Sequence, residues 1–246
     1  MSAIITAYQN LLESASVTLA AGTEDADYPL YRLYDRNTGR AFRASAAETL
    51  EVRIDQGASG AMAVDRLLIP SGHNLGGMTL DLLHSGDDVT YTPATPQWTG
   101  AHGVIDKSWT PATARYWKFR ITAPGAAPSL GELFLTGSYE WERQPARPSG
   151  SMDTEFNALS ETTSSGEDRF LVMGLPKRRR SYKVPRCGET MRDEISALYG
   201  AWAGASPFWL RDHEGSWISG RLVSPPQLTE QGPGAWSFSF DFREVL

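Results

Sequence analysis

The sequence predicts a mainly β protein, and three observations support that class. Short runs of alternating or β-branched residues recur along the chain between turn residues, with 23 glycines and 15 prolines spread throughout. The last run, AWSFSFDFREV, alternates aromatic and polar side chains with the period of a half-buried strand. One segment, residues 189–204, repeats its apolar residues at the spacing of an amphipathic helix.

The first part of the chain predicts a β-sandwich. Its strand-like runs are LEVRIDQG, MAVDRLLIPSG, MTLDLLHSG, ARYWKFRIT and GELFLTG, each bounded by Gly, Pro, Asp or Ser. Many short strands joined by irregular loops are typical of that architecture. The polar stretch ERQPARPSGS, with two prolines, then indicates a linker. We therefore predict domains at residues 1–141 and 152–246 and a linker at 142–151.

The second domain is predicted as strands, one helix and further strands. The helix ETMRDEISALYGAWAG has acidic residues in its first turn, and DHEG marks a later hairpin turn. On the final strand, the aromatic face needs a cover, because four exposed aromatic side chains in a row would promote aggregation. We expect the helix to supply that cover.

Composition and charge exclude several classes of protein. The formal net charge of −6 argues against general binding to nucleic acid or to a membrane surface. No stretch approaches the roughly 18 apolar residues of a membrane span, and the N-terminus lacks the basic and apolar regions of a signal peptide. The single cysteine, Cys187, excludes an internal disulfide.

The sequence predicts no enzyme. The four histidines form no HxH or HxxxH pair, and there is no CxxC, GxSxG or phosphate-binding Walker motif. The strongest local charge feature is the basic run PKRRRSYK at residues 176–183. We expect Arg178, Arg179 and Arg180 to contact an acidic protein surface rather than DNA, the alternative being the solvated face of a hairpin.

Residues 114–137, ARYWKFRITAPGAAPSLGELFLTG, resemble the end of a domain of the discoidin (coagulation factor 5/8 C-type) family and its carbohydrate-binding relatives. In that family an aromatic strand is followed by a loop and an ELxLxG strand. YPLYRLYDRNTGRAFRA (28–44) and VDRLLIPSGHNLGGMTLDLLHSGDD (64–88) resemble the family's early loop and central strands. The resemblance covers most of residues 1–138 and implies a jelly-roll β-sandwich.

Many members of the discoidin family hold a structural calcium ion. By resemblance its ligands here are Asp35, Asn37, Thr38 and Glu132, and oxygen donors from loops suit a hard cation. The chain departs from the family's Asp-Gly-Asn turn with DRNTGRAF, which adds arginine charge nearby. Two expectations therefore stand, a calcium site and a loop without metal.

Sugar recognition in such a domain needs exposed aromatic rings for stacking and polar side chains for the hydroxyl groups. The candidates are Trp98 with His102, in TPQWTGAHG, together with Tyr91 and His73. Trp98 falls in a predicted long loop, a position that favours function. We expect these residues either to bind a glycan or to pack against a neighbouring subunit.

The second domain resembles tail-tip proteins of long-tailed bacteriophages, the minor tail or distal tail proteins of the lambda M-like and related kinds. Those proteins have a helix, an aromatic PFxW strand with a short hairpin, and a closing strand similar to WSFSFDFREV. The match runs over roughly residues 155–246. It implies a tail-tube fold, a β-sandwich or split barrel flanked by one helix, that assembles into a ring.

Together the resemblances predict a structural virion protein, made in the host bacterial cytoplasm and placed at the tail tip. It would form a homo-oligomeric ring joining the tail tube to the baseplate hub, with Trp236, Phe238, Phe240 and Phe242 at assembly contacts. The sandwich would lie outside the ring and brace neighbours or contact host glycans. The alternatives are a core strand in a monomer and a carbohydrate-binding module protein with no virion role. Neither specific nucleic acid nor membrane insertion is expected.

Overall fold

The computed structural model describes residues 2–57, 62–122, 124–145, 152–155, 158–172, 177–202 and 206–245. Strands dominate these residues, which confirms the prediction of a mainly β protein. Within the described ranges, no helix combines the length and the apolar character needed to cross a membrane.

The chain up to residue 138 contains mostly strands. They are β1 (Ile5–Ala7), β2 (Ser16–Ala21), β3 (Phe42–Arg43), β4 (Leu50–Asp55), β5 (Ala63–Ile69), β6 (Thr79–Ser85), β7 (Thr92–Pro93), β8 (Trp98–Thr99), β9 (Ile105–Thr113), β10 (Tyr116–Thr122), β11 (Ser129–Leu130) and β12 (Phe134–Thr136). A short helix, α1 (Leu11–Ser14), and a 3₁₀ helix (Leu30–Leu33) interrupt them.

The rest of the chain adds further strands and one long helix. They are β13 (Tyr139–Glu140), β14 (Met152–Glu155), β15 (Ala158–Thr162), β16 (Asp168–Val172), β17 (Lys177–Cys187), α2 (Glu189–Trp202), β18 (Phe208–Arg211), β19 (Trp217–Leu222), β20 (Gln227–Gly232) and β21 (Ala235–Glu244). The helix and the hairpin at DHEG, between β18 and β19, lie where the sequence predicts them.

The chain divides into two compact units. The sandwich unit comprises residues 7–138, and the C-terminal unit comprises residues 1–6 together with 139–246. The first six residues belong to the C-terminal unit because β1 pairs with β13, with Ile5 opposite Glu140. The boundary lies shortly before the predicted domain end at residue 141, and residues 146–151 of the predicted linker lie outside the described residues.

In the sandwich unit, two sheets share one hydrophobic core. One sheet has the order β2-β4-β10-β6-β7, with β8 also on β6, and the other has the order β12-β5-β9. In β4 and β10, buried and half-buried residues alternate, as the period-two pattern predicts, whereas the last four residues of β5 are all buried. The fully buried side chains of this core include Val52, Ile54, Leu80, Trp117 and Phe119 from the first sheet and Val64, Leu67, Ile69 and Leu135 from the second.

In the C-terminal unit, α2 contacts the final strand, and the guanidinium group of Arg192 lies 4.9 Å from the ring centre of Trp236. Cover of the buried phenylalanines by the helix stays a prediction. Phe238, Phe240 and Phe242 are all buried in the same sheet, which runs β13-β1-β18-β19-β21-β17-β14 with β20 paired to β21. The ring of Trp141 packs edge-on against Phe238 and Phe240, with centroids 5.5 and 5.8 Å away. The final strand is therefore the centre of the core of this unit.

Truncation of Phe240 tests that role. Phe240→Ala removes a buried ring that also contacts Tyr182, and we expect the C-terminal unit to lose about 3–5 kcal/mol of unfolding free energy. Ser239→Ala, on the other face of the same strand, is the control. Hydrogen exchange of the β17 and β21 amides measures the change, and equal protection in the two variants would contradict the assignment.

Candidate functional site

Trp98 lies in strand β8, not in the long loop that the sequence predicts. It pairs with Leu80 of β6 and packs, half-buried, against the core of the sandwich unit. The ammonium group of Lys107 lies 5.6 Å from the centre of its ring. Trp98 thus has a packing role within its own unit, and a sugar or subunit contact there stays a prediction.

His73 and His102 come together at one end of the sandwich unit. His73 Nδ1 accepts a hydrogen bond from the Leu75 N–H (3.2 Å), so Nε2 carries the proton and donates to the Gly103 carbonyl (2.6 Å). Burial lowers the pKa of His73, and the charge of His102 lowers it further. Both nitrogens of His73 are therefore engaged in holding the loops. His102 is exposed, with its ring against the α-carbon of Gly76.

Tyr91 belongs to a different cluster, on the outer face of the first sheet. Its hydroxyl donates to Asp88, and the ammonium group of Lys118 lies 4.2 Å from its ring centre. Arg53 donates to both oxygens of Asp88 and lowers the pKa of that carboxyl to about 2, with a smaller contribution from Tyr91. Burial raises the pKa of Tyr91. The structure therefore separates Tyr91 from the two histidines.

The three arginines of the basic run each face an acid of the C-terminal unit. Arg178 pairs with Glu244 and Arg179 pairs with Asp241. Arg180 is buried and pairs with the fully buried Asp212 at 2.7 Å. These charges are matched within the unit, so their contact with an acidic partner stays a prediction, as does an assembly role for Trp236, whose ring lies under Arg192.

The predicted calcium ligands surround a turn and a buried carboxylate. Asp35 and Asn37 use side-chain oxygens to accept the N–H groups of Asn37 and Gly39, which shapes the turn. The Thr38 carbonyl points at Gly131, where an added Cβ would lie 3.1 Å from the oxygen. Next to Gly131, Glu132 is 1 % exposed and its Oε1 atom has no hydrogen-bond partner.

Glu132 is close to one arginine, Arg36, and that arginine is already bound by other groups. Arg36, in the left-handed region with φ of 60°, is bound by Glu13 and by the Tyr8 carbonyl. Burial raises the pKa of Glu132 to about 7; the Arg36 charge lowers it, while Glu13 and Asp35 raise it. An orphaned buried carboxylate oxygen fits a hard cation such as calcium. Among the described residues, no three His, Cys, Asp or Glu side chains form such a site by themselves.

A further surface, at which the sequence predicts no glycan contact, lies on the early loop. We call it the Tyr28 surface and define it as Tyr28, Tyr31, Arg32, Arg40 and Arg43. The side chains of Tyr28 and Tyr31 are 37 % and 49 % exposed. Exposed tyrosine rings on an ordered loop are typical of binding surfaces.

Two guanidinium groups lie over the ring of Tyr28. Those of Arg32 and Arg43 are 5.3 and 6.0 Å from its centre. Arg32 also donates from Nη1 to the Ala41 carbonyl (3.2 Å). The ring of Tyr31 carries no such contact from the described residues and stays open to solvent. The two tyrosines therefore differ. Two arginine side chains pack on the ring of Tyr28, whereas the ring of Tyr31 is accessible to a ligand.

Main-chain hydrogen bonds hold the Tyr28 surface in place. The Arg43 N–H donates to the Tyr28 carbonyl (3.2 Å), and the Asp25 N–H donates to the Arg43 carbonyl (2.9 Å). The Tyr28 N–H closes a turn on the Asp25 carbonyl (2.8 Å), and Glu24 accepts the N–H of Leu30 (2.7 Å). These bonds fix the loop against strand β3, so its side chains start from a defined backbone.

The stretch YPLYRLYDRNTGRAFR did contain a signal for this surface. It combines three tyrosines with four arginines, the side chains that dominate interaction hot spots. The spacing of Tyr28 and Tyr31 alone does not say which ring is covered. That depends on the position of Arg43 in β3, which only the tertiary structure shows. The resemblance to the discoidin family instead implies calcium ligands in this stretch.

Comparisons with known proteins add little. No family model matches the sequence, and no curated protein matches it. Among solved structures, chitosan-binding module 1 of a Paenibacillus sp. IK-5 chitosanase/glucanase is 20 % identical, with a TM-score of 0.45, over 52 % of this chain and 99 % of that chain. A Clostridium perfringens protein in complex with GalNAc-β-1,3-galactose is 12 % identical, with a TM-score of 0.44, over 52 % and 100 % of the two chains.

A Ruminococcus gnavus fucosidase in complex with fucose is also similar. It is 22 % identical, with a TM-score of 0.46, over 54 % of this chain and 27 % of that chain. At these identities and TM-scores, the likenesses carry no argument about what this chain binds.

Glu132 predicts a pH-dependent stability. Since burial raises its folded pKa from 4.5 to about 7, its contribution is complete below pH 4.5 and is lost as the pH rises through 7. We expect the sandwich unit to be less stable at pH 8 than at pH 5, by at most about 3 kcal/mol without a cation. Glu132→Gln should remove this difference.

Calcium is tested in the same measurement, hydrogen exchange of the β10 amides. If calcium binds at Glu132, adding the ion at pH 8 raises protection in the wild type and not in Glu132→Gln. The same calcium response in both proteins would contradict a site at Glu132. A pH dependence that survives in Glu132→Gln would contradict the titration of this carboxyl.

Proposed function

We propose that the sandwich unit binds carbohydrate through the Tyr28 surface. The observation that carries the proposal is the ring of Tyr31, 49 % exposed on a loop fixed by main-chain hydrogen bonds and next in the chain to Arg32, whose guanidinium group lies over Tyr28. An exposed aromatic face of this kind offers an apolar platform next to polar donors. That combination suits a ligand with one apolar and one polar side.

A pyranose ring has this character. Its axial C–H groups form an apolar face that stacks on tyrosine, while its hydroxyl groups need hydrogen-bond partners at the rim. Arg43 and Arg40 provide N–H donors, and both side chains are exposed. Tyr28, with two guanidinium groups over its ring, positions donors instead of stacking on the sugar.

The role proposed is binding and not catalysis. The carboxylates close to the surface, Glu24 and Asp25, accept the N–H groups of Leu30 and Asp27 and so support the loop. The chitosan-binding module and the sugar complexes among the similar structures belong to the same ligand class, but the proposal depends on the Tyr28 surface.

Tyr31→Ala tests the proposal. We expect the wild-type protein to bind at least one class of glycan on an array, and Tyr31→Ala to weaken that binding by roughly ten-fold, since it removes the stacking ring. Tyr31→Phe keeps the ring and should retain most of the affinity.

Val89→Ala is the matched control, because Val89 is an exposed residue, 82 % accessible, on another loop of the same unit. Loss of binding in this control equal to that in Tyr31→Ala would argue against the surface. Absence of wild-type binding to every glycan on the array would reject carbohydrate binding.

We propose self-assembly of the C-terminal unit as a second function. A ring at a phage tail tip would require such self-assembly. The observation that favours it is the hairpin β15–β16. Among the described residues its two strands pair only with each other, and Leu171 is 61 % exposed. A two-stranded hairpin is marginally stable alone in water, so an exposed one gains by packing on another chain. Contact with a tail tube or a baseplate hub belongs to the same proposal.

Leu171→Asp tests self-assembly. If the hairpin joins copies of the chain, sedimentation velocity at rising concentration should show an oligomer for the wild type, and the variant should dissociate at concentrations where the wild type stays assembled. Val223→Asp, at an exposed valine of the same unit (47 %), is the control. A wild type that stays monomeric, or equal effects of the two variants, would contradict the proposal.

A further inference from the structure

The arginines of the sandwich unit divide into two groups by their partners. Most of them form ion pairs with acids of the same unit. These pairs are Arg36–Glu13, Arg53–Asp88 (2.6 Å), Arg66–Asp106 (2.5 Å), Arg115–Asp55 (2.8 Å) and Arg120–Glu51 (2.5 Å). Matching of this kind is usual for charges whose role is to hold a fold together.

The remaining arginines, Arg32, Arg40 and Arg43, form no ion pair with any acid of the described residues. All three belong to the Tyr28 surface. Arg43 has its guanidinium over Tyr28, and Arg32 has a buried Nε atom without a hydrogen-bond partner. The unit therefore neutralises its arginines everywhere except at this surface.

Nearby acids do not neutralise these arginines. Glu24 and Asp25 accept main-chain N–H groups of the loop, and Asp27 is exposed. None of the three lies within ion-pair distance of the guanidinium groups. Like charges held close together repel each other, and an anion between them relieves that repulsion.

We propose that the Tyr28 surface binds saccharides that carry carboxylate or sulfate groups. This inference rests on the proposed carbohydrate binding and adds the class of ligand. Guanidinium groups bind carboxylate and sulfate through paired N–H donors, a geometry that neutral hydroxyl groups do not match in strength. Tyr31 stacks on the sugar ring while Arg43, held over Tyr28, meets the anionic group, and the exposed Arg40 adds positive charge on the same loop.

Tyr28 acts as a positioning residue in this arrangement. Its ring attracts both Arg32 and Arg43, and this attraction limits the conformational freedom that flexible arginine side chains lose on binding. The net charge of −6 gives no long-range attraction to anions, so an anionic saccharide depends on the local contacts of this surface. A saccharide combines the ring and the anion in one small ligand.

Two pairs of polymers separate the ligand classes in calorimetry on the full chain. Polygalacturonate and its full methyl ester differ only in the carboxylate charge, and dextran sulfate and dextran differ only in the sulfate. We expect at least one charged polymer to bind ten-fold or more tightly than its neutral partner. Binding of polygalacturonate would identify a carboxylate as the recognised group, and binding of dextran sulfate would identify a sulfate.

Arg43→Gln should weaken that binding about ten-fold, the effect of losing a hydrogen bond to a charged group. Arg120→Gln is the matched control, because it removes the same charge from an arginine already paired with Glu51. Arg43 is exposed, so its variant should melt at the wild-type temperature. A single-stranded oligonucleotide serves as a polyanion without a pyranose ring and should bind more weakly.

Five outcomes would overturn the inference. Equal binding of charged and neutral polymers, or equal loss in Arg43→Gln and Arg120→Gln, would show that these arginines do not select an anion. Oligonucleotide binding as tight as that of the acidic polymers would indicate a general polyanion surface. Binding to neutral glycans alone would reject the acidic ligand and leave the proposed function standing, whereas no binding to any glycan would reject both.

Discussion

The contact between the ring of Tyr28 and the guanidinium groups of Arg32 and Arg43 is the interaction on which the candidate surface depends. Without it, like-charged side chains would separate and sample many conformations in solvent. The main-chain bond from Arg43 to the Tyr28 carbonyl keeps ring and strand in register. A loop can therefore hold positively charged side chains in place without ion pairs, because an aromatic ring supplies the attraction.

The two candidate sites of the sandwich unit, the Tyr28 surface and Glu132, contain ionisable groups without ion-pair partners, unlike the charges that stabilise the fold. On the outer face of the first sheet, Arg53 has Asp88 and Arg120 has Glu51, so those groups stabilise the fold without needing a ligand. Among the described residues, Arg43 and Glu132 have no such partner; Arg43 is exposed and positive, and Glu132 is a buried acid whose pKa is raised to about 7. Local consistency is expected to fail at sites where a protein binds something.

Features of this structure that depend on neighbouring residues could be predicted from the sequence, and features that depend on distant residues could not. Strands such as β4 and β10, and the helix α2, were predictable because side-chain period depends on neighbouring residues only. Strand β1 was not, since its partner β13 lies more than a hundred residues away along the chain. Trp98 was placed in a loop because Pro and Gly flank it, whereas pairing with β6 overrides those turn signals. Exposure of Tyr31 likewise depends on tertiary packing that no local pattern contains.

The central claim is that Tyr31 and the unpaired arginines form the binding surface of the sandwich unit. The most direct test is NMR of the full chain, following arginine Nε–Hε and tyrosine ring resonances while an oligogalacturonate is added. Our account predicts that Arg43, Arg40 and Tyr31 shift first and saturate together. Shifts confined to Arg53 and Arg120, on the outer face of the first sheet, would contradict it.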